Sequence, residues 1–275
     1  MSIAVAGAAP PATLAPRTRL RSVLALTRIE GRRLITHPAI LVSAGLIALF
    51  AVRGPHMFEF LFLGGIGYLV LGIGTLVAAH LCASRSGRDG TEELLTSLPL
   101  RETDRTAAGL LAMAVPLTGA LVIAGVLATV IRPWAGASAR LDVEPRTVMH
   151  GLVDFAQGPL LIAFLGVVGI MLARWLPTPI GVPVAIGGIV AINSLTGLSD
   201  GPMRWLNPAS NYSAATPEPA SMMVWHLVYL VGLIFVLGLV ALARRPPARG
   251  LLLYGAAAAS IMALGGLMQI VTGSS

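Results

Sequence analysis

The sequence predicts an all-α membrane protein whose chain crosses the bilayer several times. Hydrophobic residues make up 56% of the 275 residues and charged residues only 11%. The apolar residues gather in runs of about 14 to 25, and brief turns that contain arginine or proline separate these runs. As a helix, a run of about 20 apolar residues is long enough to cross the ~30 Å hydrocarbon layer.

We predict a single transmembrane domain over residues 36–272, preceded by a disordered cytoplasmic tail at 1–16 and an amphipathic interfacial helix at 17–35. The tail contains three prolines and no basic residue ahead of its apolar part, which is not the pattern of a cleaved secretion signal. We expect six to seven transmembrane helices, since the sequence leaves open whether the last candidate is a true span. The first candidate has only 14 uninterrupted apolar or small residues, and its place as a span rests on the distribution of charge. The seven candidates are 36–53, 59–83, 106–131, 150–173, 178–197, 222–243 and 250–272.

The arginines predict the orientation of these helices. If the N-terminus is cytoplasmic, 14 of the 19 arginines lie in the inner segments and five in the outer loops. Positively charged residues concentrate on the cytoplasmic side of membrane proteins, so the N-terminus is expected inside. Treating the first candidate as non-spanning would place the six N-terminal arginines outside.

Composition also excludes several functions. The net charge of +7 is spread over short loops instead of forming one patch, which favours membrane orientation over nucleic-acid binding. The chain has no lysine, so it cannot contain a G-x-x-x-x-G-K-[ST] phosphate loop and cannot itself be an ATPase of that class. It has no H-E-x-x-H or G-x-S-x-G motif and a single cysteine, Cys82, so we expect no catalytic residue, metal site or cofactor in this chain.

The segment 17–35 has the pattern of a helix that lies along the inner leaflet. Arg21, Arg28 and Arg32 fall within one narrow sector of the helix, and leucine and valine fill the neighbouring sector. Each arginine among anionic headgroups would contribute about 1 kcal/mol. The alternative is a basic flank that only follows the distribution of positive charge.

The insert between the second and third spans, residues 85–105 (RSGRDGTEELLTSLPLRETDR), predicts a short cytoplasmic helix at 88–99. Asp89 is a good N-cap, Glu92 completes a capping-box pattern, and Pro99 ends the helix. The leucines at 94, 95 and 98 then share one face. Burying all three would contribute about 5–8 kcal/mol before ordering costs, enough to dock on a soluble partner, although the same face could lie against the bilayer.

Taken in order, these features resemble the membrane subunits of type-2 ATP-binding-cassette exporters, over about the first 130 residues. The features are the basic helix containing TRIEGRRLITHP (27–38), two spans, and the insert SRSGRDGTEELLTSLPLRETDR (84–105). The resemblance implies that the first helix is an elbow and that the insert is a coupling helix, which enters a cleft on a separate ATPase subunit. The coupling residues would be Arg88, Asp89, Gly90, Thr91, Glu92, Glu93, Leu94 and Leu95, with Leu98 on the same leucine face.

The resemblance further implies an exporter permease in a bacterial inner membrane, with ATP and Mg²⁺ on the partner ATPase. A second permease copy, identical or homologous, would complete the pathway. The resemblance also implies a re-entrant outer segment before the sixth span, for which residues 201–220 have the length and the prolines. The family's usual six spans are followed here by a further apolar stretch at 251–272, which is either an additional helix or a sign that the segmentation is shifted by one.

A polar set in the fourth span favours a different function. His150, Asp154 and Gln157 share one helix face, and an ionisable group within a span is costly unless it faces protein or water. This set could line a substrate path, or Asp154 could couple ions in a self-sufficient secondary transporter or channel. Alternatively, Asp154 lies close enough to the outer end for the helix terminus and headgroup water to solvate it.

Overall fold

A computed structural model of the chain describes residues 16–51, 66–85, 89, 101–126, 148–197, 206–209, 219–244 and 249–273. These residues form helices joined by turns and contain no strand, so the predicted all-α fold is confirmed for this part of the chain. The helices are α1 (Pro16–Ile35), α2 (Pro38–Ala51), α3 (Ile66–Ala83), α4 (Glu102–Ala112), α5 (Ala114–Val126), α6 (Val148–Trp175), α7 (Gly181–Gly197), α8 (Ala220–Leu242) and α9 (Arg249–Gly273).

Five stretches of helix within the described residues are long and apolar enough to cross a membrane. A sixth is added if α1 and α2, which are bent by 45° at their junction, count as one broken span. The chain is therefore a multi-span membrane protein. The five stretches are Ile66–Ala83, Glu102–Ile123, Ala156–Trp175, Ser221–Leu242 and Gly250–Thr272.

The predicted third and fifth spans differ from the observed helices. The third begins at Glu102 instead of residue 106, because carboxylates in its first turn favour a helix N-terminus. It breaks at Met113, between α4 and α5, because Pro116 has no N–H to donate to the preceding turn. The predicted fifth span, 178–197, is only 17 residues long as α7 and rises about 26 Å, short of the ~30 Å hydrocarbon layer.

The stretch at 250–272, whose status the sequence left open, is a continuous helix, α9, of spanning length. The first candidate, 36–53, is represented by α2, whose 14 residues rise about 21 Å. The helix predicted at 17–35 is present as α1, whereas the predicted tail lies outside the described residues apart from Pro16.

The centre of the bundle is α6. Inside its spanning stretch 72% of the residues are buried, against 17% in α9, so α6 is the most enclosed of the five spanning stretches. It contacts α3, α8 and α5 extensively and α7 and α4 less so. Its core side chains Ile162 and Leu165 are 0% and 1% exposed.

Helices α8 and α9 approach each other closely at two glycines. A Cβ atom built on Gly232 would lie 2.7 Å from the backbone nitrogen of Met262, and one built on Gly265 would lie 2.6 Å from that of Tyr229. The glycines therefore sit reciprocally, each against the backbone of the other helix. Small residues allow this approach where two membrane helices gain little from the hydrophobic effect.

We predict that Gly232→Ala destabilises the protein by about 1–3 kcal/mol, because a backbone atom cannot yield to the added methyl group. The matched control is Gly238→Ala on the same helix, where the nearest atom to a built Cβ is a leucine methyl of Leu110 at 3.8 Å. Thermal unfolding in detergent should show a lower melting temperature for the first variant only. Equal effects would show that the close approach of α8 to α9 does not limit stability.

Candidate functional site

The ends of several helices meet at one end of the bundle, where ion pairs join them. This charged end contains the end of α3, the start of α4, and the ends of α6 and α8, as expected if successive helices cross the membrane in alternate directions. Two uncharged contacts reinforce it. The Trp175 Nε1 group donates a hydrogen bond to the carbonyl of Val240 (3.2 Å), and the buried ring of His80 lies 3.2 Å from the carbonyl of Thr178.

At the charged end, Arg19 joins α1 to the start of α4. Its Nε donates to both carboxylate oxygens of Asp104 at 3.0 Å, and its Nη2 donates to Oδ1 at 2.6 Å. The Asp104 side chain is 8% exposed and also accepts a hydrogen bond from the backbone N–H of Arg101 (3.3 Å), which caps α4. This carboxylate therefore both starts the helix and holds α1 against it.

The Arg19–Asp104 pair keeps its arginine charge throughout the physiological pH range. The hydrogen bonds to Asp104 raise the pKa of the Arg19 guanidinium; desolvation opposes this rise and the charge of Asp104 adds to it. A raised pKa on a basic group stabilises the fold below that pKa, and the contribution is lost only as the pH rises through it. For arginine that loss lies far above physiological pH.

Glu102, the first residue of α4, links three helices. It accepts a hydrogen bond from Nη2 of Arg174, near the end of α6, and its Oε1 lies 3.8 Å from Nη1 of Arg244, just past the end of α8. The side chains of Glu102 and Arg174 are 17% and 16% exposed, so water screens this pair less than a surface pair. One carboxylate thus holds the ends of α4, α6 and α8 together.

A further ion pair marks the start of the connection from α3 to α4. The Nε of Arg85 donates to Oδ2 of Asp89 at 3.0 Å, and the backbone N–H of Asp89 donates to the carbonyl of Arg85 at 2.8 Å. Since Glu102 and Asp104 stand at the other end of this connection, ion pairs are present at both ends of it.

Of the predicted coupling residues, the structure describes Asp89 alone. It lies in the turn closed by Arg85, and its carboxylate is engaged there. The helix predicted at 88–99 therefore stays a prediction. The coupling residues outside the described part are Arg88, Gly90, Thr91, Glu92, Glu93, Leu94, Leu95 and Leu98.

Helix α1 presents its predicted arginine sector away from the bundle. Arg21, Arg28 and Arg32 are all exposed. The predicted apolar sector is divided, because Val23 and Leu34 are buried against the bundle. Other apolar side chains of the helix are exposed, including Leu20 at 60% and Leu24 at 47%.

The predicted polar set lies within α6. Gln157 is 4% exposed, so it faces protein. His150 and Asp154 lie in the first two turns of the helix, and their side chains are outside the described part. Within the described ranges, no three histidine, cysteine, aspartate or glutamate side chains are close enough together to hold a metal ion.

Part of the predicted re-entrant segment, residues 206–209, folds onto the opposite end of the bundle. The Nδ2 group of Asn207 donates to Oδ1 of Asn193 in α7 at 2.7 Å, and the hydroxyl of Tyr229 in α8 donates to the carbonyl of Leu206 at 3.0 Å. The remainder of 201–220, up to Pro219, lies outside the described residues.

From the sequence alone, no interaction is predicted within the group Arg19, Glu102, Asp104, Arg174 and Arg244, whose charges only help to orient the spans. A usable signal was present, because Glu102 and Asp104 directly precede a predicted span and Arg174 and Arg244 directly follow one, all on the predicted inner side.

Compared with models of protein families, with curated proteins and with solved structures, the chain matches none of them.

We predict a strong energetic coupling between Glu102 and Arg174. In a double-mutant cycle with Glu102→Gln and Arg174→Gln, the coupling should be about 1–3 kcal/mol, because each single change leaves a poorly hydrated charge. The control cycle uses Glu30 and Arg33, whose ion pair at 2.8 Å is solvent-exposed on the arginine side and should couple by about 0.3–0.5 kcal/mol. Unfolding free energies in mixed detergent micelles measure both, and equal couplings would contradict the role given to Glu102.

Proposed function

We propose that this protein is the membrane-spanning permease subunit of an ATP-binding-cassette exporter. A separate ATPase subunit would bind the connection between α3 and α4, and the spans would form the substrate path. Three observations support this proposal: the multi-span helical fold, the resemblance of the first 130 residues to type-2 exporter permeases, and the charged end that follows the connection.

The observation that carries the proposal is the shared carboxylate of Glu102. A partner that moves the connection displaces the start of α4 first. Because Glu102 contacts Arg174 of α6 and Arg244 of α8, the displacement is passed to the ends of both helices. Movement of one short segment would then rotate three spans together and open the path to the other side.

Helix α1 takes the part of the elbow in this proposal. Its exposed arginines would lie among anionic headgroups, and its exposed leucines at 20 and 24 would enter the bilayer surface beside them. Through the Arg19–Asp104 pair, a movement of this helix would also move the start of α4. The N-terminus would lie in the cytoplasm of a bacterial cell, on the same side as the ATPase.

We further propose that a second permease copy, identical or homologous, completes the path. Helix α7 contacts the bundle weakly, and large apolar side chains on it are exposed, including Leu195 at 75% and Val190 at 58%. Gly187 and Gly188 face open space, which would let another helix approach closely.

A competing function, a self-sufficient secondary transporter or channel with Asp154 as the ion-coupling residue, is favoured by one observation. Gln157, one turn along α6 from Asp154, is buried in protein and does not face lipid. A polar path through the centre of the bundle would require such a residue.

We predict that the charged end faces the cytoplasm. In a Cys82→Ala background, Thr178→Cys places a thiol in the exposed turn at the charged end, and Ser221→Cys places one at the opposite end, at the exposed start of α8. A membrane-impermeant maleimide should label the first only in inside-out vesicles and the second only in right-side-out vesicles. The reverse pattern would place the connection beyond the reach of any cytoplasmic ATPase.

We predict that a nucleotide-hydrolysing chain copurifies with the tagged protein. The double change Leu94→Asp plus Leu95→Asp should abolish copurification, because it places charges on the apolar docking face. The matched control, Leu94→Met plus Leu95→Met, keeps the volume and polarity and should retain the partner. Glu102→Gln should retain the partner as well, but the rate of nucleotide hydrolysis by the complex should change by roughly tenfold. A change of this size lies within the range for mutations that alter the energetic coupling between two sites.

Two results would contradict this proposed function. One is that no nucleotide-hydrolysing chain copurifies. The other is that the purified chain alone, reconstituted in liposomes, carries out uptake driven by a proton gradient; Asp154→Asn should then abolish that uptake, and the competing function would replace this one.

A further inference from the structure

A cavity of about 400 Å³ opens at the charged end, between α1, α3, α4 and α6. Its volume falls within the range of ~300–1,000 Å³ that is typical of ligand pockets. The residues that line the cavity recur at helical spacing along one face of each helix. Examples are Arg105 and Gly109 in α4, Met113 directly after it, and Ile170 and Arg174 in α6. The cavity is thus enclosed by four segments of the chain.

The cavity is polar at its mouth and apolar at its inner end. Leu34, Ala79, Met113 and Ile170 line the apolar part and belong to one core cluster of the bundle. The charged residues lie in the last turns of α1 and α6, directly after α3, and in the first turn of α4. A ligand that fills this space must therefore be charged at one end and apolar at the other.

Among the described residues that line the cavity, one arginine has no carboxylate partner. Of the four arginines and three carboxylates in this described lining, Arg33 pairs with Glu30, Arg85 with Asp89 and Arg174 with Glu102. The remaining cation is Arg105. Its Nε is buried and has no hydrogen-bond partner in the part of the chain that the structure describes. A buried guanidinium nitrogen without a hydrogen-bond partner is costly, and an anion that accepts its hydrogen bond removes that cost.

We propose that this cavity binds the headgroup of an anionic phospholipid from the adjoining leaflet. The phosphodiester carries one negative charge and would accept hydrogen bonds from Arg105, which balances the surplus positive charge. The first methylene groups of an acyl chain would lie against Met113 and Ile170. This inference uses the membrane fold and the cavity alone, and it does not depend on coupling to an ATPase.

Height in the membrane favours a lipid over a free anion. The cavity is bounded by the last turns of α3 and α6 and by the first turns of α4, which is the level of headgroups for helices that span the bilayer. Basic pockets between spans at this level are suited to phosphate headgroups. A free phosphate ion would leave the apolar inner part of the cavity without a ligand.

The single cysteine of the chain provides the test, because Cys82 lines the cavity. The protein is reconstituted in nanodiscs of phosphatidylcholine with increasing phosphatidylglycerol, and alkylation of Cys82 by N-ethylmaleimide is followed by intact mass. Phosphatidylglycerol should slow alkylation. In Arg105→Gln, roughly tenfold more phosphatidylglycerol should be needed for the same protection, the loss expected for one charge-assisted hydrogen bond.

Three further variants separate the site from general effects. Arg101→Gln removes the same charge from an exposed residue just before α4 that does not line the cavity, and it should leave protection unchanged. Arg105→Lys keeps the charge and should restore much of the protection. Gly109→Leu adds a side chain to the cavity wall, where a Cβ has ordinary contact with Ile170 at 3.8 Å, and should protect Cys82 without any phosphatidylglycerol.

Any of three results would overturn the proposal. Equal protection by phosphatidylcholine alone, whose phosphodiester is neutralised by its own choline cation, would show that the net negative charge of the headgroup is not recognised. Equal protection by millimolar inorganic phosphate would show a site for a free anion and not for a lipid. An equal loss in Arg101→Gln and Arg105→Gln would show that general surface charge, and not the cavity, attracts the lipid.

Discussion

The charged end depends on one carboxylate, that of Glu102, which meets arginines from two other helices. Membrane helices gain little from the hydrophobic effect when they associate in lipid, so their ends need directional contacts to hold a fixed arrangement. Glu102 supplies such a contact for α4, α6 and α8, and Asp104, two residues on, supplies one for α1. The positions of four helices at this end therefore depend on two acidic residues in a single helical turn.

Much of the fold follows from composition. Apolar runs predicted the helices α3, α6, α8 and α9 to within a few residues at the ends that the structure describes, because a span must be apolar over nearly its whole length. The limits of α7 and the break between α4 and α5 were harder to predict. Both depend on prolines, whose effect on a helix is decided by whether neighbouring helices satisfy the backbone groups that they expose.

The site was less predictable than the fold. The exposure of Arg21, Arg28 and Arg32 follows from helical periodicity, a local property. The pairing of Arg19 with Asp104 joins residues that are 85 positions apart, and that of Arg174 with Glu102 joins residues 72 apart. Such pairs depend on which spans are neighbours, and hydropathy alone does not determine this. The surplus charge of Arg105 is apparent only after the other charges in the described lining of the cavity have been paired.

The short α7 has a consequence for the surrounding lipid. Its 17 described residues are a few ångströms too short for an average bilayer. Lipids that contact α7 therefore meet a hydrophobic mismatch, whereas the spanning stretch of α6 is largely buried among other helices. Either the bilayer thins beside α7, or polar residues at the ends of the helix enter the hydrocarbon layer. The stability of this region therefore depends on acyl-chain length and differs between thin and thick membranes.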